Sequence, residues 1–584
     1  MFVASVAHAA VSLADLAGGR SSFEQASGAS VLLAIGIGLL FLAAAVAGMT
    51  FGLRAFLRLP GGRPVHVLLI GAFVAQCIMA VGVDYWSGDE ILMLSSALTA
   101  VFADLSLVIY PNPAVYLNLA VGMTGMVSGL SSIVGGTPLE EAAMRLAVLH
   151  FTDLLVACRC VTALAWTRVL AMAYMSVLAL GGRVSAGVAA ILLLFSTNLF
   201  YTTAMQPHAL GVLFGMIAVY HLVLHRPRDP VTPGWAAVSG LLFGVALSTH
   251  YLDILLLPVA ATALFARSWR RPLVSVGSFV CVLILTFLIL NPRLFLDWSE
   301  YAAFLRYRFS EISRFDAQNP QLMAPSRETG ASYYPYMLAS HPIFFIALAG
   351  LPIAAVRFWR TREPQVAAFL LLPLGLLAIL TMVATKYAHY LLWVSPPLAI
   401  IAVVGVSWAL DRLKSLRLRI LLAAFVIVPS AWDAASIFAD TMVRQRPEGG
   451  LLAAAPETLF TRATRSLPPG DRIGFSSSFL TLPRRAVLEG RIPESVLRQL
   501  KQVVDEACNH DIAWVDAPDS RPGGLEGAGI EWLYSIAWQL PGFPSDDEKR
   551  ADPARVAGLV HHLVRIGRGT GGEGGGERGG GGAP

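Results

Sequence analysis

The sequence predicts a polytopic α-helical membrane protein of about twelve transmembrane helices, followed by a small extramembrane α/β domain. Three observations carry this. The chain has 584 residues, 56% of them hydrophobic and only 14% charged, and its mean hydropathy is +0.64. A soluble fold of this length could not hide so much apolar surface. Apolar runs long enough to cross a bilayer recur as far as Phe438. Between them Lys and Arg fall in short clusters, the pattern of cytoplasmic loops. The net charge of +5 forms no face or stripe, so the expected partner is the lipid bilayer and not nucleic acid.

Cysteine usage excludes other classes. Cys77, Cys158, Cys160 and Cys281 lie in or beside apolar segments, and Cys508 lies in the polar tail. They form no disulfide framework, and neither they nor the histidines show metal-ligand spacing.

In chain order, residues 1–30 lack a basic n-region and read as a lead-in, not a cleaved signal. Residues 31–51 form the first span. Arg54, Arg58 and Arg63 follow it, so that side is cytoplasmic. Residues 65–83 return outward. Residues 113–135 are apolar and Gly/Ser-rich, without a basic flank. A full crossing there would invert every later loop, so this stretch is expected to dip into or lie on the membrane. Residues 136–159 carry mixed charge in a helical pattern. Further spans are expected at 161–180, 184–203, 210–224, 235–249, 252–265, 273–290, 336–355, 366–384, 391–410 and 420–438, with both termini outside. Some of these runs fall short of the roughly 20 residues of a full crossing, so neighbouring helices must tilt or break.

The transmembrane domain thus covers 31–438, with outer loops at 84–159 and 291–336. Beyond it Pro and charged residues become frequent. Strand-like runs at 472–475 and 512–515 and an amphipathic stretch at 493–507 indicate an extracytoplasmic α/β domain over 439–567. Residues 568–584 are Gly-rich and read as disordered.

Several groups carry chemistry. Residues 83–118 hold Asp84, Asp89, Glu90 and Asp104 without a Lys or Arg, and include Tyr110-Pro111-Asn112-Pro113. The Asp89-Glu90 pair at a membrane edge can take a proton from a hydroxyl or amine. It can also bind a divalent cation, and acids are ordinary in a first helical turn. The 291–336 loop holds Arg293, Arg306, Arg308, Arg314 and Arg327, against the positive-inside bias. A phosphate at the outer surface explains them, because the guanidinium donates two parallel hydrogen bonds. Pairing with Glu300, Glu311, Asp316 and Glu328 explains them too. Lys386-Tyr387-Ala388-His389-Tyr390 is a second basic and aromatic cluster on the same side, suited to phosphate through Lys386 or His389. His208, after Gln206-Pro207, and His250 with Asp253 lie at short outer turns, where they cap helices or line a cavity.

Together these pieces resemble the GT-C superfamily of polyprenyl-phosphate-sugar-dependent glycosyltransferases, and within it the protein O-mannosyltransferases and the lipid A aminoarabinose transferase. Asp89-Glu90 stands in the first large outer loop, and Tyr110-Pro111-Asn112-Pro113 leads into the next helix. Arg159 opens the following span. Lys386 to Tyr390, then Leu391-Leu392 and Pro396-Pro397, is similar to the family's His-Tyr-Leu-Leu-Pro segment. The first span is an addition to the family pattern. The family's Pro-Pro is interrupted by Asn112, and Tyr110 stands where a Lys is often found.

The resemblance implies a sugar donor on a polyprenyl phosphate, no certain cofactor, and a glycan, lipid or protein acceptor. It implies Asp89 as general base, Glu90 as its support, and inversion at the anomeric carbon. Lys386, His389, Arg293, Arg306 and Arg308 would meet the donor phosphate, while Tyr110, Arg159, His208, His250 and Tyr387 would line the cavity. The place implied is the inner membrane, with the site on its extracytoplasmic face. Two other classes compete. A secondary transporter or lipid-linked sugar flippase would place ionisable groups at the bilayer midplane. A polysaccharide ligase or polymerase would show a large late outer loop.

Overall fold

The computed structural model describes residues 59–82, 93–94, 97–98, 114–149, 151–198, 207–225, 229–267, 272–291, 302, 333–339, 342–361, 364–382, 388–444, 472–476, 498, 511–515, 532–536 and 561–565. The lead-in, the 31–51 span, Asp89, Glu90, Tyr110, Arg293, Arg306, Arg308, Lys386 and Tyr387 lie outside the described residues. So do the 568–584 tail and all but one residue of the 493–507 stretch. The chain divides into two units, Met1–Leu146 with His150–Pro456, and Ala147–Leu149 with Glu457–Pro584.

The first unit is helical. Its described helices are α1 Arg63–Gly82, α2 Ala114–Gly135, α3 Leu139–Leu149, α4 Phe151–Ala179, α5 Val184–Asn198, α6 His208–Val219, α7 Pro233–Leu247, α8 Leu257–Arg267 and α9 Pro272–Leu290. They continue as α10 Tyr333–Ala339, α11 Pro342–Thr361, α12 Pro364–Met382, α13 Leu391–Arg412 and α14 Leu416–Arg444. Among the described residues four segments are long and apolar enough to cross a membrane: Arg63–Val81, Leu154–Ala179, Pro272–Leu290 and Leu391–Arg412. Shorter apolar helices lie at Leu119–Gly135, Val184–Ser196, His208–Leu224, Pro233–Leu247, Phe344–Val356 and Phe369–Thr381.

Exposure sorts the long helices. The most apolar stretch of α13 is 94% buried, whereas that of α9 is only 22% buried. A helix apolar all round belongs in a core or in lipid; α13 is the first case and α9 the second. Close approach between helices rests on small residues, as expected where lipid gives no hydrophobic drive to association. Gly240 and Gly244 of α7 lie against α9, where a Cβ on Gly244 would stand 2.7 Å from Thr286 and 2.9 Å from the Leu283 carbonyl. Gly350 of α11 and Gly405 of α13 meet backbone to backbone.

Three elements differ from the sequence reading. Helix α4 begins at Phe151, so Arg159 lies two turns inside it and does not open the span. Its charge need not mark a helix end, because Nη1 donates to the Ala80 carbonyl of α1 (3.2 Å) in a fully buried position. The 252–265 run is two elements: a 3-10 segment, Tyr251–Leu256, precedes α8. Pro258 suits the start of α8, since a first turn needs no N–H from it. The 210–224 run ends in a widened turn, Tyr220–Leu224, where the His225 N–H reaches the Tyr220 carbonyl at 2.8 Å.

The second unit contains a four-stranded sheet of order β2-β1-β3-β4. The strands are β1 Arg472–Ser476, β2 Asp511–Val515, β3 Trp532–Ile536 and β4 His561–Arg565. β1 is parallel to β2 and to β3, and β4 closes one edge antiparallel to β3. The first two strands are the runs read at 472–475 and 512–515.

Candidate active site

The helical unit has two chemically different ends. At one, Arg183 pairs with Asp411 (Nη2 to Oδ1, 2.5 Å). There the buried Arg267 also donates to the backbone carbonyls of Asp229 (2.8 Å) and Leu222 (2.5 Å). At the other end the N-termini of α2, α6 and α13 meet the C-termini of α1, α7 and α9, and there histidines and an aspartate replace the arginines.

The centre of this second end is a ring cluster. His208, the first residue of α6, stacks on His389, with centroids 4.2 Å apart and planes 13° from parallel. His250 lies 5.0 Å from His208 and 4.4 Å from the Trp393 ring of α13. Local structure fixes each group. His250 caps the Tyr251–Leu256 segment, its Nδ1 accepting from the Leu252 N–H at 3.2 Å. His389 sits in the short turn Ala388–Tyr390 that feeds α13. Asp253 is wholly buried, and its Oδ1 accepts from Trp393 Nε1 at 2.9 Å.

Asp253 can sit this deep because α6 has no side chain facing it. A Cβ on Gly215 would lie 2.6 Å from Asp253 Oδ1, and one on Gly211 would lie 3.2 Å from Oδ2 and 2.9 Å from His250 Cβ. The seat is therefore a Gly211-x3-Gly215 groove. Asp253 Oδ2 and His208 Nδ1 are buried without a partner among the described residues. A buried polar atom of that kind costs about 1–3 kcal/mol if left unpaired, so it marks a place for a water or a ligand group. A small apolar void of about 10 Å³ lies beside Asp253 and Trp393, walled by Val212, Met216, Leu372, Pro396 and Pro397.

Electrostatics decides how these rings can act. Burial pushes the His389 imidazole down to about 4, so the ring is neutral near pH 7. Two imidazolium charges at roughly 4 Å would repel by about 4 kcal/mol at an effective dielectric constant near 20. The stacked pair can therefore offer neutral N–H donors but not a pair of positive charges. Stacked rings also present faces to each other, not nitrogen lone pairs. Among the described residues no group of three or more His, Cys, Asp or Glu is arranged to hold a metal ion.

Hydrogen bonds link α7 and α9, at this end of the unit, to α2 and α4. Asn291, at the end of α9, donates Nδ2 to Ser248 Oγ (2.9 Å), and the Ser248 carbonyl accepts from Val115 N of α2 (3.1 Å). The next residue, Tyr116, shares a hydrogen bond with Thr162 of α4 at 3.1 Å, one turn beyond Arg159. So the structure brings His208, His250 and His389 together, while Arg159 is buried on α4 against the Ala80 carbonyl of α1. Trp393, Gly211, Gly215 and Asn291 complete the site without having been singled out in the sequence. The Gly spacing on an apolar helix was the one available signal; the Trp393–Asp253 contact spans 140 residues and left none.

Residues 136–295 match the family model described as dolichyl-phosphate-mannose-protein mannosyltransferase. No curated protein matches the chain in sequence. Among solved structures, ArnT from Cupriavidus metallidurans bound to undecaprenyl phosphate is similar at 13% identity and a TM-score of 0.46, over 83% of this chain and 93% of that one. Its apo form is similar at 14% identity and a TM-score of 0.43, over the same shares. The Archaeoglobus fulgidus oligosaccharyltransferase in complex with Zn and sulfate is similar at 11% identity and a TM-score of 0.44, over 80% of this chain and 68% of that one. The family match covers Arg159, His208, His250, Asp253 and Asn291, and over that segment the chain is similar to the dolichyl-phosphate-mannose-protein mannosyltransferases, in line with the resemblance read from the sequence.

Proposed function

We propose that the chain is an integral membrane glycosyltransferase. It moves a sugar from a polyprenyl-phosphate-linked donor onto an extracytoplasmic acceptor, with inversion at the anomeric carbon. The observation that carries this is the gathering of His208, His250, His389 and Asp253 at one end of the bundle. From that same end the chain departs into residues 83–113, 292–332 and 383–387, which hold Asp89, Glu90, Arg293, Arg306, Arg308 and Lys386. Apolar residues beside Asp253 and Trp393, around a void of about 10 Å³, put an apolar wall next to the polar cluster, which suits a lipid-linked donor.

In this reading Asp89 takes the proton of the acceptor hydroxyl or amine. The freed lone pair attacks the anomeric carbon, the bond from that carbon to the phosphate oxygen breaks, and the polyprenyl phosphate leaves with the electron pair. Glu90 orients the acceptor. Lys386 and the arginines of the 291–336 loop offset the charge growing on the leaving phosphate. His389 adds an N–H donor, and Tyr110, Tyr387, His208, His250 and Arg159 line the cavity. The proposed architecture is about twelve spans within 31–438, the shorter apolar helices counted among them, with an extracytoplasmic domain over 439–567. The proposed place is the plasma membrane, with the site on the side away from the Arg183 and Arg267 end, by the positive-inside bias.

The test is Asp89→Asn in the purified full chain. Transfer should fall by about 10²–10⁴ while the variant still inserts and still binds donor. Turnover like that of the unaltered protein would remove Asp89 from the mechanism.

A further inference from the structure

A second cavity lies at the basic end of the bundle, about 25 Å along α13 from Trp393 at 1.5 Å per residue. It has a volume of about 200 Å³ and opens between α5, α13 and α14. Most of its wall is apolar: Ala186 and Ala189 of α5, Val403 and Leu410 of α13, Ile420 and Ile427 of α14. Arg183 stands in its lining. Its neighbour in the wall, Ser407, accepts from the Arg183 backbone N–H at 3.4 Å.

The charge around this cavity is unbalanced. The half-exposed guanidinium of Arg183 has one acidic contact, Asp411, through Nη2. A guanidinium has five N–H donors in a fixed fork, so most of that fork is available. The turn from α13 to α14 adds Arg412, Lys414 and Arg417, all exposed, and no ion pair joins any of them to another described residue. Among the described residues, Asp411 is the one acid that pairs with any of these four cations. Beyond the turn, α14 shows an outward apolar row of Leu421 (65% exposed), Phe425 (67%), Val428 (62%) and Trp432 (76%). Such a row is stable only against lipid or protein.

We propose that this groove is a binding site for an anionic glycerophospholipid of the surrounding bilayer. One acyl chain lies between α5, α13 and α14. Its phosphate takes the free donors of Arg183, and the cations of the α13–α14 turn supply the preference for an anionic headgroup. A zwitterionic lipid would bring its own positive charge to this cluster and lose that preference. The site is independent of the donor site at the other end, so it stands whether or not the proposed transfer reaction is right.

Native mass spectrometry of the purified full chain, titrated with phosphatidylglycerol or with phosphatidylcholine of the same acyl chains, tests it. Phosphatidylglycerol should bind more tightly by at least about fivefold, the size expected for each basic residue near a membrane surface. Arg183→Gln should weaken the binding of both lipids by about fivefold, since each carries the phosphate that Arg183 meets, and should leave the preference between them in place. Ala189→Trp, which fills the groove, should weaken the binding of both lipids. Lys414→Gln with Arg417→Gln, both exposed, should reduce the preference. Equal binding of the two lipids, binding untouched by Arg183→Gln, a preference untouched by the turn pair, or a dimer without retained lipid would each overturn the proposal, the last in favour of a second copy on this face.

Discussion

Replacing Gly215 by alanine is the sharpest test of how the histidine and aspartate end is built. The added methyl would lie 2.6 Å from Asp253 Oδ1 and 2.7 Å from Leu256 Cδ1. Non-bonded carbon contacts settle near 3.5–4.0 Å, so something must move by about 1 Å. Leu256 can turn aside, but Asp253 is held by the Trp393 indole N–H at 2.9 Å. A shift of about 1 Å takes that contact beyond hydrogen-bonding range. The lost bond to a carboxylate is worth about 1.5–3 kcal/mol, and overpacking adds about 1–3 kcal/mol. Alanine in a helix interior returns roughly 1 kcal/mol. The net is a loss of about 1.5–5 kcal/mol, read as a drop of several degrees in thermal unfolding of the purified protein in detergent. Gly277→Ala in α9 is the comparator, because a Cβ there meets nothing within 4 Å; its midpoint should hold or rise. If Gly215→Ala unfolds within a degree of the unaltered protein, Asp253 is not seated on α6 as described.

Two further outcomes follow from the same geometry. Arg159→Met keeps the bulk but removes the donor to Ala80, and should lower stability by about 1–3 kcal/mol in the same unfolding measurement; an unchanged midpoint would show that the buried guanidinium does not join α4 to α1. For His389 the sign is set by burial: its folded value of about 4 lies below the ordinary 6.5, so the folded protein binds fewer protons than the unfolded chain between those values. Stability should therefore fall as pH drops from 6.5 towards 4, and His389→Gln should flatten that part of the unfolding profile. A profile with the same slope in the variant would assign the pH dependence to other groups.

The helices were legible because their signal is local. Apolar runs and basic clusters located α1, α5, α9, α12 and α13 to within a few residues of their ends. Arg159 was misread for the same reason. In a sequence a charge beside an apolar run marks a boundary, whereas here it is satisfied by Ala80, 79 residues away. His208, His250 and His389 stood out individually as polar residues at turns, but their stacking depends on how α6, α7 and α13 pack, and periodicity does not report that. The sheet shows a similar split. β1 and β2 are apolar runs among polar residues, while β4, His561–Arg565, carries two histidines and an arginine in five residues and gives no strand pattern. Gly211 and Gly215 were ordinary small residues of an apolar helix until Asp253 was seen against them.

The most direct measurement of the central claim is release of free polyprenyl phosphate by the purified full chain, supplied in turn with a panel of polyprenyl-phosphate sugars and an acceptor pool from the cell envelope. The expected result is release with at least one donor, matched by sugar on an acceptor with inverted anomeric configuration, and lost in Asp89→Asn. Absence of release with every donor, from protein that is folded and membrane-inserted, would contradict the glycosyltransferase reading and favour a transporter of lipid-linked sugars.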